Sequence, residues 1–414
     1  MTLRSARRNW VLGLIYLSEG APIGFIWWAL PPMLVSRGVP VSEVALLTAL
    51  VALPWSLKFL LAPFVDALNF LRARYAAQVI FANFMMGLTL LGCIRIFTED
   101  FQIQELKWLL LTHALFAAWQ DVAIDAYAVR TVDSNDMGKA NAFMQLGMIL
   151  GRSLFGGAGV FLADHLGAPV FLSLLVGFIW TIAIVFGSLT LPSLKRRLVE
   201  TKDVAGIKPQ VTRYFGDIWQ CTGSVNFWLL VLLSFTVGLS YEGTAGIASA
   251  KLKSMGFPSH LQALLYSFVV PVATAAGAFL GGWGIDRFNE KRLLVLVVGI
   301  CSALSVVSQV GFSIGWPPLT ILVSFAAFYI LIGAVTTTQY AFLMRRTVQT
   351  LAAFQFSLFM SVTNLCESFA TSIMGWADGA GLSLYIALGL SGSAFVLTIF
   401  TLRFLPVRFV ANSG

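Results

Sequence analysis

The sequence predicts an all-α polytopic membrane protein, twelve transmembrane helices in two pseudo-symmetric six-helix bundles, and three observations carry that prediction. Of its 414 residues 58% are hydrophobic and 11% charged, and the mean hydropathy is +0.84, a composition that soluble domains do not have. Apolar runs of about 20 residues, the length that crosses a hydrocarbon core, recur twelve times with short connections. The two halves of the chain also repeat each other's local patterns.

Taken in order, the predicted spans are about 9–33, 43–66, 74–96, 107–129, 139–163 and 168–191, then 225–249, 260–285, 291–313, 317–342, 351–377 and 381–405. Arg4, Arg7 and Arg8 precede the first run as in a secretory signal, but Glu19, Pro22 and the length of the run fit an uncleaved first span. The one long connection, 192–224, is basic and polar and divides the chain into domains 1–191 and 225–414. With the N-terminus in the cytoplasm, twenty basic residues, among them Arg74, Arg130, Lys139, Lys195, Arg213, Arg345, Arg346 and Arg403, fall on that side. Only Arg37, Arg95, Lys107, Lys251 and Lys253 fall on the other, and Lys58 and Arg152 lie inside spans. Both termini are therefore expected in the cytoplasm, and the net charge of +8 is a topology signal rather than a sign of nucleic-acid binding.

The repeat is visible in short words. Gly38-Val39-Pro40 followed by Ala45-Leu46-Leu47 returns as Gly256-Phe257-Pro258 followed by Ala263-Leu264-Leu265, and Ser18-Glu19-Gly20 returns as Tyr241-Glu242-Gly243. Asp66 with Arg72 and Arg74 after span 2 is matched by Asp286-Arg287 with Lys291 and Arg292 after span 8. Parallel repeats about an axis along the membrane normal are the layout of the major facilitator superfamily, which the chain resembles. That resemblance implies that the Asp-then-basic loops latch the two halves in one state. Lys58, Asp66, Arg72, Asp286 and Arg287 are accordingly the gating candidates.

Charge inside the spans marks the candidate site, because an isolated Asp at a helix centre costs about 2.5–3.5 kcal/mol on insertion scales. Asp121 and Asp125 stand four residues apart on one face of span 4, next to Gln120. Counted at about 1.5 Å per residue from the cytoplasmic helix ends, Glu19 lies roughly 15 Å deep, Asp121 roughly 14 Å and Arg152 roughly 20 Å. These three are expected to meet near the midplane, either as a charge relay or anion site or as a structural ion pair. Glu242, Gln339 and Glu367 are the polar intruders of the second half, with Tyr241 beside them, and His113 reads as a hydrogen-bonded structural residue. Glu19, Asp121, Asp125, Glu242 and Glu367 are the candidates for proton coupling; Trp27, Trp28, Gln120, Asp121, Arg152, Tyr241 and Gln339 are those for substrate binding. Pro22 predicts a kink in span 1 just before the aromatic stretch Phe25-Ile26-Trp27-Trp28, a wall suited to a flat, ring-containing substrate or to an interfacial position. Gly147/Gly151 on span 5 and Gly277/Gly281 on span 8 are spaced for close helix approach, and the superfamily resemblance sets those two spans facing each other.

Three segments carry a narrower resemblance: Leu57-Lys58-Phe59-Leu60-Leu61-Ala62-Pro63-Phe64-Val65-Asp66, Gln120-Asp121 with Asp125-Ala126, and Ala353-Phe354-Gln355-Phe356-Ser357-Leu358. They are similar to the AmpG-type permeases and, in a twelve-span layout without the two further C-terminal spans usual in muropeptide permeases, to the RhtX/FptX siderophore permeases. The resemblance implies a bacterial inner-membrane secondary transporter, a monomer in the lipid bilayer, importing a ferric siderophore such as ferri-pyochelin with protons by alternating access. The alternatives it leaves open are a muropeptide permease for cell-wall recycling and an efflux carrier of the same fold. No phosphate-binding G-x-x-x-x-G-K-[ST] loop is present, so transport is expected to be driven by an ion gradient or to run downhill. The scattered Cys93, Cys221, Cys301 and Cys366 offer neither metal ligands nor a disulfide framework. With no nucleophile–base–orienter set, no enzyme activity and no cofactor are expected.

Overall fold

A computed structural model describes residues 3–35, 37–39, 41–70, 74–99, 101–200, 207–255, 257–258, 261 and 264–406. Arg72, Lys202, Gly206, Gly256, Ala263 and Arg408 lie outside the described residues. The described part is helical throughout, without a strand, and divides into two compact units. The first comprises Met1–Val132, Phe143–Ile218 and Gln349–Ser357, and the second Asp133–Ala142, Trp219–Val348 and Leu358–Gly414.

In the first unit the helices are α1 (Leu3–Gly24, followed after a π turn by the short helix Leu30–Val35), α2 (Val41–Ser56), α3 (Ala62–Phe70), α4 (Tyr75–Thr98), α5 (Ile103–Thr131), α6 (Met137–Arg152, as far as Ala142 counted with the second unit), α7 (Ala158–Leu166), α8 (Ala168–Glu200) and α9 (Ile207–Thr222, from Trp219 counted with the second unit). The second holds α10 (Val225–Gly238), α11 (Glu242–Ser254), α12 (Val270–Arg287), α13 (Glu290–Ile314), α14 (Pro318–Met344), α15 (Ala352–Gly379) and α16 (Ser383–Phe404). Where the residues are described, each predicted span falls on helix, several of them broken into successive pieces; 260, 262 and 263 of the eighth lie outside the described residues. Eight helical stretches among the described residues are long and apolar enough to cross a membrane, nine if the bent pair Leu50–Ser56 and Lys58–Leu68 is one span. The exceptions include α5 and α15, the helices that carry Asp121, Asp125 and Glu367.

Local chemistry explains the boundaries that matter for the site. Helix α13 starts where the Asn289 side chain accepts the Arg292 amide at 3.1 Å, and stops at Gly315, whose φ of +67° an L side chain resists. Between α2 and α3 the chain bends by 52°. Pro54, inside α2, withholds one ladder donor, Leu57 leaves helical geometry at φ −107° and ψ 13°, and Lys58–Leu60 forms one tight 3₁₀ turn before Pro63 sits harmlessly in the first turn of α3. Pro22 is absorbed within α1; the irregularity follows one step later as a π turn over Phe25–Ala29, opposite a second π turn at Ser153–Gly157.

The predicted 192–224 connection is largely helical. Helix α8 continues to Glu200, and α9 is amphipathic, with Phe215 and Trp219 exposed while Tyr214 is buried and donates to Asp66 at 2.8 Å. Burial and the neighbouring carboxylate push the Tyr214 phenol upward, so it stays a donor.

The small-residue seams differ from expectation. A Cβ on Gly147 would stand 2.0 Å from the Gly13 carbonyl oxygen and one on Gly151 2.3 Å from that of Leu17, so these glycines seat α6 on α1. Gly277 and Gly281 likewise seat α12 against the Ile330 and Ala334 backbone of α14. Spans 5 and 8 do not meet through either pair. Their backbones approach at Gly138 and Gly282 instead, within the second unit, because those are the positions where neither helix carries a Cβ to hold the other away.

Candidate functional site

A buried polar cluster forms in the first unit where α1, the 3₁₀ turn and α5 come together. The turn swings Lys58 inward to 4% exposure, and its ammonium donates to Asp121 Oδ2 at 2.7 Å and lies 3.6 Å from Asp125 Oδ2. Asp125 in turn accepts from the Tyr16 hydroxyl of α1. Gln120 donates to Ser18 Oγ at 3.2 Å and Ser18 donates to the Ile15 carbonyl, which ties α5 to α1 one step from Glu19. Glu19 is buried among the same charges, yet its Oε2 has no hydrogen-bond partner.

The arrangement corrects the expected acid–acid–base set. Asp121 does not pair with Arg152; its partner is Lys58, and Arg152 leaves its Nε without a partner in a half-buried position. Depth along the membrane normal was similar for both residues, but depth says nothing of direction around the helix. Lys58, expected at a gate, lies in the charge cluster. Asp125 is no helix-end carboxylate in contact with water, being 3% exposed. Tyr16 and Ser18 were missed, although Tyr16 stands three residues before Glu19 on one face of α1, a spacing that could have marked it.

Three carboxylates thus share a dry site with one bonded ammonium and the guanidinium of Arg152. An ion pair removed from water is costly to break, because the partner left behind is an uncompensated buried charge; removing one member typically costs about 3–5 kcal/mol. The third carboxylate, Glu19, has no such partner. A site of this composition can bind and release a proton or receive a cationic group of a solute.

His113 is placed as expected, its Nδ1 held by Thr89 Oγ1 at 3.0 Å and near the Met86 carbonyl at 3.2 Å. Trp27 and Trp28 sit on the first π turn, Trp27 edge-on to Trp55 at 5.5 Å and Trp28 against Gly156. Both are partly exposed, at 37% and 45%.

In the second unit the polar groups are more dispersed. Gln339 of α14 and Thr363 of α15 both donate to the Ser234 carbonyl of α10 at 3.2 Å. Between α10 and α11 the chain makes a tight turn through Leu239–Tyr241, and Tyr241 hydrogen-bonds the Glu242 carboxyl, which lies near Glu367. Gln309, Thr244 and Ser305 form a short chain at 3.2 and 2.8 Å. Among the buried polar atoms without a partner are Oγ1 of Thr337 and Thr338, Oε1 of Gln339 and Oγ of Ser361.

The gating candidates also find partners other than those expected. Asp66 accepts from the Tyr75 and Tyr214 hydroxyls and from the Phe354 amide, while Arg130 stacks on the Tyr75 ring at 5.0 Å. Asp286 pairs not with Arg287, which lies over the Trp283 ring at 5.4 Å, but with Arg345 at 2.7 Å. Arg345 also reaches the Ser134 carbonyl at 2.8 Å and Glu290 at 3.3 Å, and Arg346 pairs with Glu290. The two Asp286 oxygens accept the Gly138 and Lys139 amides at 2.9 and 3.0 Å, capping the N-terminus of α6 with an anion. Its sequence neighbour points away; a residue fifty-nine positions on completes the site.

The sequence profile of the Major Facilitator Superfamily matches residues 12–371. The "Putative transporter AmpG 4" of Rickettsia conorii is 23% identical over 392 residues, covering 89% of this chain and 90% of that protein. The "Anhydromuropeptide permease" of Escherichia coli K12 is 23% identical over 378 residues, covering 89% of this chain and 74% of its own length. Among solved structures, the E. coli fucose:proton symporter FucP superposes with a TM-score of 0.64 at 16% identity, over 98% of this chain and 99% of that one.

Proposed function

Because this chain belongs to the major facilitator superfamily, we propose that it is a proton-coupled secondary transporter of a bacterial inner membrane, importing a small organic solute by alternating access, with Lys58, Asp121, Asp125, Tyr16 and Glu19 as its coupling centre. The observation that carries this reading is the Lys58 ammonium bonded to Asp121, 3.6 Å from Asp125, beside a third carboxylate with an unpartnered oxygen. Asp121 and Asp125 converge on that one ammonium, one turn apart on α5. In this reading Arg152 and Gln120 are the solute-binding groups of the first unit, and Tyr241 and Gln339 those of the second.

For the solute, the AmpG-type relatives favour an anhydro-muropeptide over the siderophore that the narrower sequence resemblance implies. The unpartnered Thr337, Thr338, Gln339 and Ser361 atoms support the same choice, since a sugar–peptide satisfies many hydrogen-bonding groups at once. A ferric siderophore such as ferri-pyochelin is the second reading, favoured by the Trp27–Trp55 ring pair with Trp28 beside it. Equilibrium binding of both ligands to purified protein separates them. Saturable binding of anhydro-muropeptide alone is expected; binding of ferri-pyochelin alone transfers the assignment to the second reading, and binding of neither removes both.

The orientation is a separate proposal, motivated by the asymmetry of basic residues. A Gly206→Cys variant in intact cells should resist a membrane-impermeant maleimide and become labelled only after permeabilisation. Labelling from outside would invert the topology.

A further inference from the structure

A groove on the second unit, lined by α13 and α16, encloses about 1040 Å³ and is walled by Leu296, Ile300, Val306, Leu388, Phe395 and Ile399. At one end it is bounded by three cations, Lys291, Arg292 and Arg403. The Lys291 ammonium is already held by the Leu402 and Leu405 carbonyls at the end of α16. Arg292 and Arg403 are exposed, and neither has an ion-pair partner among the described residues. Farther along the groove the hydroxyls of Ser302 and Ser391 are buried without a partner. From Arg292 to Val306 the groove runs about 21 Å at helix rise, more than the roughly 15 Å of one leaflet's hydrocarbon.

We propose that this groove is a binding site for an anionic phospholipid, its phosphodiester between Arg292 and Arg403 and its acyl chains along the apolar walls. An apolar face alone would suit any lipid. Two unpaired guanidiniums at the end where positive charge collects along the sequence select a negative head, as basic pockets between transmembrane helices do. A second copy of the chain fits poorly, since a two-fold contact would set Arg292 and Arg403 against their own like charges.

Native mass spectrometry of the full chain in mild detergent, with equal added phosphatidylglycerol and phosphatidylcholine, tests the site. The wild type should retain phosphatidylglycerol preferentially. An Arg292→Gln/Arg403→Gln variant should lose about thirtyfold in that affinity, two contacts of about 1 kcal/mol each. Gly392→Trp, which fills the groove and keeps both guanidiniums, should evict the lipid as well. Equal retention of the two lipids, undiminished phosphatidylglycerol binding in either variant, competition by millimolar inorganic phosphate, or a doubled mass that Gly392→Trp abolishes would each overturn the assignment.

Discussion

Lys58→Met is expected to abolish concentrative uptake and to destabilise the protein by about 3–5 kcal/mol, because it leaves Asp121 and Asp125 buried with no cation within bonding distance. Methionine keeps much of the stem's volume, so the loss is one of charge rather than packing. Asp121→Asn removes the other half of the pair and should also abolish uptake, while the double variant Lys58→Met/Asp121→Asn should recover much of the stability without recovering transport. Thermal unfolding in detergent and uptake into membrane vesicles read the two effects separately. Arg152→Met supplies the contrast: with no ion pair to break, it should cost far less stability than Lys58→Met. Unchanged uptake in Lys58→Met would reduce the cluster to a packing device.

Glu19→Gln should uncouple transport without abolishing it. Glutamine resembles the protonated carboxyl in shape and lacks its charge, so a carrier that moves a proton on Glu19 should still bind its solute and exchange it for solute on the far side. Accumulation against a gradient should fall to the equilibrium level, at least a tenfold loss wherever the wild type concentrates tenfold. Counterflow in preloaded vesicles measures exchange, and uptake with and without a protonophore measures coupling. If Glu19→Gln still accumulates solute and a protonophore still collapses that accumulation, the proton travels elsewhere, with Asp125 and Glu367 next to be tested.

The rods of this fold were legible because hydrophobic length is a one-dimensional property, and the sequence is one-dimensional. What failed was direction. Counting residues put Glu19, Asp121 and Arg152 at similar depths, but the ammonium that meets Asp121 arrives from the bend between Pro54 and Pro63, where a single 3₁₀ turn changes which way Lys58 points. No periodicity argument contains that turn. Arg287 illustrates the same limit, since adjacency to Asp286 in the chain gave way to adjacency of Arg345 in space. The glycine pairs were read correctly as close-approach sites, yet the partner helices were taken from a fold-level expectation, and the backbone contacts assign them to α1 and α14. Tyr214 carried no sequence signal of its own, and Tyr16 only its spacing from Glu19, because a tyrosine in an apolar helix is ordinary until a carboxylate is found at its hydroxyl.

The seam between α1 and α6 has a consequence for how this gene can vary. Backbone lies on backbone there, with carbonyl oxygens occupying the space where any side chain would begin. No neighbouring rotamer can shift to admit even a methyl group, so compensation by a second substitution is closed off in a way it is not for a cavity or an ion pair. In a saturation library selected only for correct membrane insertion, codons 147 and 151 should be purged to glycine as strictly as under selection for growth. The codon for Glu19, a carboxylate with no ion-pair partner to strand, should diversify under the first selection and narrow under the second. Comparing the two libraries would separate the residues that build the carrier from those that run it, without any knowledge of the solute.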